Sequence, residues 1–126
     1  MGRRYQIPGG LIDATQNVVA VSGTREALYL IGDLVIPRTK GGRQPTVLIP
    51  NPFYQVYVGA AVMGGAEPIY VPATADNQFL PDYAGLDKDI LDRTALAYVC
   101  SPANPQGTIA DLDYLVTALE LARAHD

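Results

Sequence analysis

The chain predicts an α/β fold built on a mainly parallel sheet, and three observations carry that prediction. Short apolar runs alternate with segments of helical periodicity along most of the length. Gly, Pro or Asn closes nearly every run, as strands that feed crossover connections require. With 126 residues, 48% of them hydrophobic, the chain is long enough for one core without disulfide staples.

The elements follow in order. Val18-Val19-Ala20-Val21 is rich in β-branched residues and ends at Ser22-Gly23, which predicts a buried strand. From Thr24, the residues Ala27, Leu28, Leu30, Ile31, Leu34 and Val35 recur at helical spacing until Pro37 stops the run. A polar Lys40-to-Pro45 loop precedes a second strand, Thr46-Val47-Leu48-Ile49, closed by Pro50-Asn51-Pro52. Tyr54 to Gly64 predicts a helix of small residues capped by Gly64-Gly65. Glu67-Pro68-Ile69-Tyr70-Val71 is a third strand. An irregular stretch and a short polar helix near Asp87 to Asp92 lead to a fourth strand, Ala95 to Cys100. Ser101 to Gly107 must be a loop, given its prolines, and Leu112, Leu115, Val116, Leu119 and Ala122 mark a final amphipathic helix.

Charge and composition exclude several function classes. Nine Lys and Arg against 13 Asp and Glu leave a net charge of −4, with no basic surplus for a nucleic-acid partner. A single Cys cannot form an internal disulfide, and one Cys with one His cannot make a zinc site. No apolar run approaches the ~18 residues that span a bilayer, and Met1-Gly2-Arg3-Arg4-Tyr5 does not lead into a signal-peptide core. The expectation is a cytoplasmic protein without membrane or metal.

Ligands of open parallel sheets sit at the carboxyl ends of strands, and three loops leave strands in that direction. Ser22-Gly23-Thr24-Arg25-Glu26 opens a helix, whose first amides and dipole favour an anion; Thr24 adds a hydroxyl donor, and Glu26 is spaced to satisfy an amide at Gly23. The alternative is a helix cap without a ligand. Pro50-Asn51-Pro52-Phe53-Tyr54-Gln55-Val56-Tyr57 places Tyr54 where it can stack on a planar heterocycle, or where Phe53, Tyr54 and Tyr57 pack in the core. In Ser101-Pro102-Ala103-Asn104-Pro105-Gln106-Gly107-Thr108, two prolines hold the Asn104 amide as a donor and acceptor for a phenolic or carbonyl oxygen, unless the loop is an ordinary turn. Cys100 reads as a small hydrophobe at a strand end and His125 as a polar or capping residue. Asp87, Asp89 and Asp92 read as a solvated face. Lys40 and Lys88, the only lysines, lie in polar segments that suit no buried nucleophile.

Together, Ser22 to Leu28, Pro50 to Tyr57 and Cys100 to Gly107, in this order and spacing, resemble the class I and II aminotransferases of pyridoxal-phosphate fold type I. The resemblance runs from about Arg3 to the last residue. The stretches Arg25-Glu26-Ala27-Leu28 and Phe53-Tyr54-Gln55 are most similar to the N-succinyldiaminopimelate branch, which belongs to lysine biosynthesis. The resemblance implies a three-layer α/β/α large domain that binds pyridoxal 5'-phosphate. Gly23 and Thr24, helped by Arg25, would hold the phosphate; Tyr54 would stack on the pyridine ring; Asn104 would bond its phenolic oxygen. The implied reaction moves an amino group between glutamate and a keto acid, succinylated in that branch, in a homodimer.

The family's Schiff-base Lys, its pyridinium-binding Asp with the neighbouring Tyr, and its two anion-binding Arg residues have no match here, so no catalytic residue is assigned in this chain. The expectation is therefore that residues 1–126 form part of the large domain. The rest of that domain and the small domain would come from a complementing C-terminal polypeptide, without which the chain is inactive. Two rivals stand beside this: a non-catalytic folded remnant, and a phosphate-ligand-binding module of flavodoxin-like type.

Overall fold

The computed structural model describes residues 7–126; the Arg3-Arg4-Tyr5 lead lies outside them. The elements in chain order are α1 (Thr24–Val35), β1 (Thr46–Asn51), α2 (Gln55–Met63), β2 (Glu67–Pro72), a single 3-10 turn (Ala75–Asn77), α3 (Lys88–Arg93), β3 (Thr94–Ala97) and α4 (Leu112–Ala124). The three strands form one parallel sheet in the order β2-β1-β3. β1 pairs with β2 from Thr46 opposite Glu67 to Asn51 opposite Pro72. On its other side, a bulge lets Ala95 slip out of register between Thr94 and Leu96.

β1 is the centre of the molecule because both its faces are covered. Successive strand residues point to opposite sides, and Val47 and Ile49 meet one apolar cluster while Leu48 meets another. The first cluster joins Tyr57, Ala60, Ala61 and Tyr98 under α1 and α2; the second joins Val71, Tyr83 and Leu91 under α3 and α4. Helices, sheet and helices thus make three layers, as the family resemblance implies, around the parallel sheet that the alternating pattern predicts. The small residues of α2 have a purpose here: a Cβ added to Gly32 of α1 would stand 2.7 Å from Ala60 Cβ, so the two helices touch nearly backbone to backbone. α2 ends where Gly65 takes a φ of 76° and the Ala66 amide donates back to Ala61 O.

Two expectations need correction. Val18-Val19-Ala20-Val21 is not a strand: it is irregular and exposed, with Val19 at 83%. A strand is stabilised by a neighbour's hydrogen bonds, and no described strand lies beside this segment. The fourth predicted strand is shorter, since β3 stops at Ala97, although the Tyr98 amide still donates to Leu48 O at 3.0 Å. No helix among the described residues is long and apolar enough to cross a membrane, and no group of three or more His, Cys, Asp or Glu among them is placed to hold a metal ion.

Candidate functional site

The carboxyl end of β1 opens onto a cleft lined by Pro52, Tyr54, Tyr57, Cys100 and Asn104, with Tyr83 and Tyr114 closing the far side. The strand order explains the place. β1 sends its connection to β2 on one side, β3 lies on the other, and the loops after β1 and β3 diverge around the gap.

Of the predicted site residues, Tyr54 and Asn104 lie in its lining. Tyr54 is half-buried at the N-cap of α2. Asn104 sits in a loop that closes on itself: the Ala103 amide donates to Thr108 O and the Gly107 amide to Ala103 O, both at 2.7 Å, with Gly107 at a φ of 79°. Its side-chain amide is exposed and makes no hydrogen bond among the described residues. Ser101 Oγ fastens the loop from below by accepting from the Ala110 amide at 3.0 Å.

Gly23, Thr24 and Arg25 lie beside this cleft rather than in its lining. Their link to it is Arg25, whose Nε donates to Tyr54 Oη at 2.5 Å and whose guanidinium carbon stands 5.6 Å from the Tyr54 ring centre. Helical bonding in α1 starts with the Ala27 amide donating to Gly23 O, so the amides of Thr24, Arg25 and Glu26 are left free at the positive end of a 12-residue helix. Among the described residues no side chain caps them, and the reciprocal bond expected of Glu26 is not formed. Gly23 itself is extended, with a φ of 175° that any residue adopts, and a Cβ there would meet nothing among the described residues within 4 Å.

The three aromatic residues of the second loop separate. Tyr57 is buried, meets Tyr54 edge-on at 5.8 Å and stacks on Tyr98 at 4.2 Å. Phe53 instead turns outward against Tyr70 at 5.2 Å and is 40% exposed. Burial, together with the neighbouring Cys100, pushes the Tyr57 phenol up to about 12. Burial and then Asp82 raise Tyr114 to a similar value, and burial raises Tyr83 further. These phenols are neutral donors at ordinary pH. The sequence reading missed Tyr83 and Tyr114 at this wall; nothing in the spacing of two isolated tyrosines points to a cleft whose other side is built by distant loops.

Both lysines are remote from the cleft. Lys40 Nζ donates to Thr94 O and His125 O at 2.8 and 2.7 Å, at the opposite end of the sheet, where β1 and β3 begin. Six strand residues separate that end from Asn51, roughly 17 Å. Lys88 pairs with Asp92 on the surface of α3. His125 caps α4, and its Nδ1 lies 2.8 Å from Asp92. Asp89 is engaged by Arg43 and Arg93, so the acidic face is a set of ion pairs rather than plain solvated charge.

The geometry therefore defines a class: an open α/β domain with free helix amides and, linked to them by one arginine, an aromatic face and an amide at the end of its central strand. Residues 4–126 match the family of aminotransferases of class I and II, and the chain belongs to it. That family depends on pyridoxal 5'-phosphate. The chain is similar to the LL-diaminopimelate aminotransferase of Moorella thermoacetica, with 38% identity over 115 residues, covering 91% of this chain and 28% of that enzyme. Its structure is similar to an aminotransferase from Neisseria meningitidis, at a TM-score of 0.86 and 36% identity, over 98% of this chain and 30% of that one. A probable N-succinyldiaminopimelate aminotransferase from Thermus thermophilus aligns at a TM-score of 0.79 and 27% identity, over 98% of this chain and 31% of that one. The chain thus spans less than a third of the length of these relatives.

Proposed function

We propose that this chain supplies the phosphate-binding and ring-binding parts of a pyridoxal-phosphate aminotransferase. One observation carries the reading: Arg25 joins the free amides of α1 to Tyr54, and Tyr54 shares its cleft with Asn104. The donor set suits the cofactor. Three unpaired amides, the Thr24 hydroxyl and the Arg25 guanidinium match a dianionic phosphate. Among the described residues nothing contacts a Cβ built at Gly23, so a ligand can approach its backbone. Tyr54 offers a face for a heteroaromatic ring, and the Asn104 amide can donate to an oxygen on its edge.

When bound, the cofactor supplies the electron sink for amino-group transfer. The residues of this chain position it. The helix end fixes the phosphate, Tyr54 covers one face of the ring and excludes water from it, and Asn104 holds a donor hydrogen at the ring oxygen. Neither Lys40 nor Lys88 reaches the cleft, so in this reading the covalent anchor and the pyridinium-binding carboxylate come from a complementing C-terminal polypeptide. Residues 1–126 are then part of the large domain and inactive alone. Fold type I aminotransferases are generally homodimers, and the complete enzyme is proposed to be one. Two of the relatives are named for diaminopimelate or its N-succinyl derivative. This supports an amine substrate with that carbon skeleton, exchanged with glutamate and its keto acid in lysine biosynthesis.

The test uses the whole 126-residue chain and pyridoxine 5'-phosphate, which binds without needing a lysine. Amide NMR signals of Gly23 to Glu26 and the Asn104 side-chain signals are expected to shift together on titration. Shifts elsewhere only, or none, overturn the assignment. With pyridoxal 5'-phosphate, an imine absorbance band on this chain alone would refute the placement of the anchor outside it. Transamination of N-succinyl-diaminopimelate is expected only when the complementing polypeptide is added.

A further inference from the structure

The anion end of α1 and the ring face of Tyr54 belong to different elements, and the exposed Arg25–Tyr54 bond and the close approach of Gly32 to Ala60 are backed by buried residues that are not assigned to phosphate or ring. Tyr98 makes four separate connections at the base of the cleft. Its amide donates to Leu48 O of β1 at 3.0 Å. Its carbonyl accepts from Tyr83 Oη at 2.7 Å. Its own hydroxyl donates to Leu28 O of α1, also at 2.7 Å. Its ring lies against Tyr57 at 4.2 Å and 20°, and Tyr57 in turn meets Tyr54 edge-on at 88°. Both Tyr57 and Tyr98 are buried, at 7% and 6% exposure, so neither can turn away without opening the core.

From this chain of contacts we infer that Tyr57 and Tyr98 are positioning residues that hold the ring-binding face of Tyr54 at a fixed spacing from the amides of α1, so that phosphate and ring are bound as one ligand. The inference rests on the proposed function and adds to it the source of the site's preorganisation. Two weak subsites reinforce each other only when their separation is held to that of the ligand. Tyr98 ties α1 to the end of β3 through Leu28, and Tyr57 carries that position to Tyr54. Tyr57 serves by packing, and Tyr98 by packing and by donating to Leu28 O; both phenols are protonated in the neutral range, because burial raises each of them.

The experiment compares three ligands on the full chain by amide NMR: inorganic phosphate for the anion end, pyridoxine for the ring face, and pyridoxine 5'-phosphate for both. Tyr57→Leu removes the edge contact and is expected to weaken pyridoxine 5'-phosphate about fivefold, leaving inorganic phosphate unchanged. Tyr98→Phe keeps the stack, removes only the bond to Leu28, and is expected to cost about threefold on the same ligand. It also serves where Tyr57→Leu does not fold. A merely structural role predicts that phosphate affinity falls in parallel, or that only the melting temperature moves; either result overturns the inference. Unchanged binding of pyridoxine 5'-phosphate by both variants overturns it too, while leaving the proposed function standing. Failure of the unaltered chain to bind that ligand at Gly23 to Glu26 removes the proposed function, and the inference with it.

Discussion

Arg25 Nε donates to Tyr54 Oη at 2.5 Å, across 29 positions of sequence, and this bond ties the start of α1 to the start of α2. The pair is exposed, and exposed charged contacts stabilise little. Its importance is geometric, since the remaining guanidinium nitrogens make no hydrogen bond among the described residues and can take an anion. A double-mutant cycle with Arg25→Met and Tyr54→Phe is expected to give a coupling of about 0.5 kcal/mol in unfolding free energy. The Arg25→Met change should weaken inorganic phosphate as well. A coupling of zero by denaturant titration would mean the bond does not persist in solution.

Gly32 and Ala60 set the distance between α1 and α2. In an isolated helix, Gly32→Ala should stabilise by about 1 kcal/mol. Here the new Cβ would stand 2.7 Å from Ala60 Cβ, and overpacking of that kind costs about 1–3 kcal/mol. The expected result is net destabilisation in urea unfolding, largely recovered by adding Ala60→Gly. Because α1 carries the anion end and α2 carries Tyr54, the single variant should also weaken pyridoxine 5'-phosphate.

The buried phenol of Tyr57 and the half-buried one of Tyr114 limit stability in alkali. Tyr57 and Tyr114 are pushed up from 10 to about 12 by burial. Their protonated form is therefore favoured in the folded chain. That contribution is complete below pH 10 and is lost as pH rises from 10 towards 12. Thermal melts should fall steeply across this window, and absorbance at the phenolate band should rise in step with unfolding. A tyrosine titration finished below pH 10.5 with the fold intact would contradict the burial of these rings.

Acid acts at the other end of the sheet. Hydrogen bonds from Lys88 and then His125 hold the Asp92 carboxyl below the usual range, and Arg43 does the same to Asp89. A lowered carboxyl stabilises above its unfolded value and loses that contribution as pH falls through the folded one. The melting temperature should therefore decline below about pH 4, and Asp92→Asn should flatten part of that decline. Sodium chloride at high concentration should reduce the effect, because these pairs are exposed.

Much of the fold was legible along the chain because apolar periodicity and punctuation act locally. Pro37 ends α1, Gly64-Gly65 ends α2, and the run Thr46 to Ile49 is buried on both faces. Val18 to Val21 misled for the same reason. Its β-branched residues satisfy the local rule, but a strand also needs a neighbour, and composition says nothing about one. In the site, Tyr54 and Asn104 stood out as an aromatic and an amide bounded by prolines. Tyr98 did not, because a tyrosine inside an apolar strand looks like core until its hydroxyl is seen on Leu28 O.

The sequence by itself determined an α/β chain with three loops of defined chemistry, and two lysines in polar surroundings. Local periodicity and the stereochemistry of Gly and Pro suffice for that. Only the tertiary structure decided that Arg25 meets Tyr54, that Tyr54 and Asn104 face one cleft, and that both lysines lie away from it. Those relations depend on strand order and on the close approach of α1 to α2, contacts between residues far apart in sequence that no local pattern encodes.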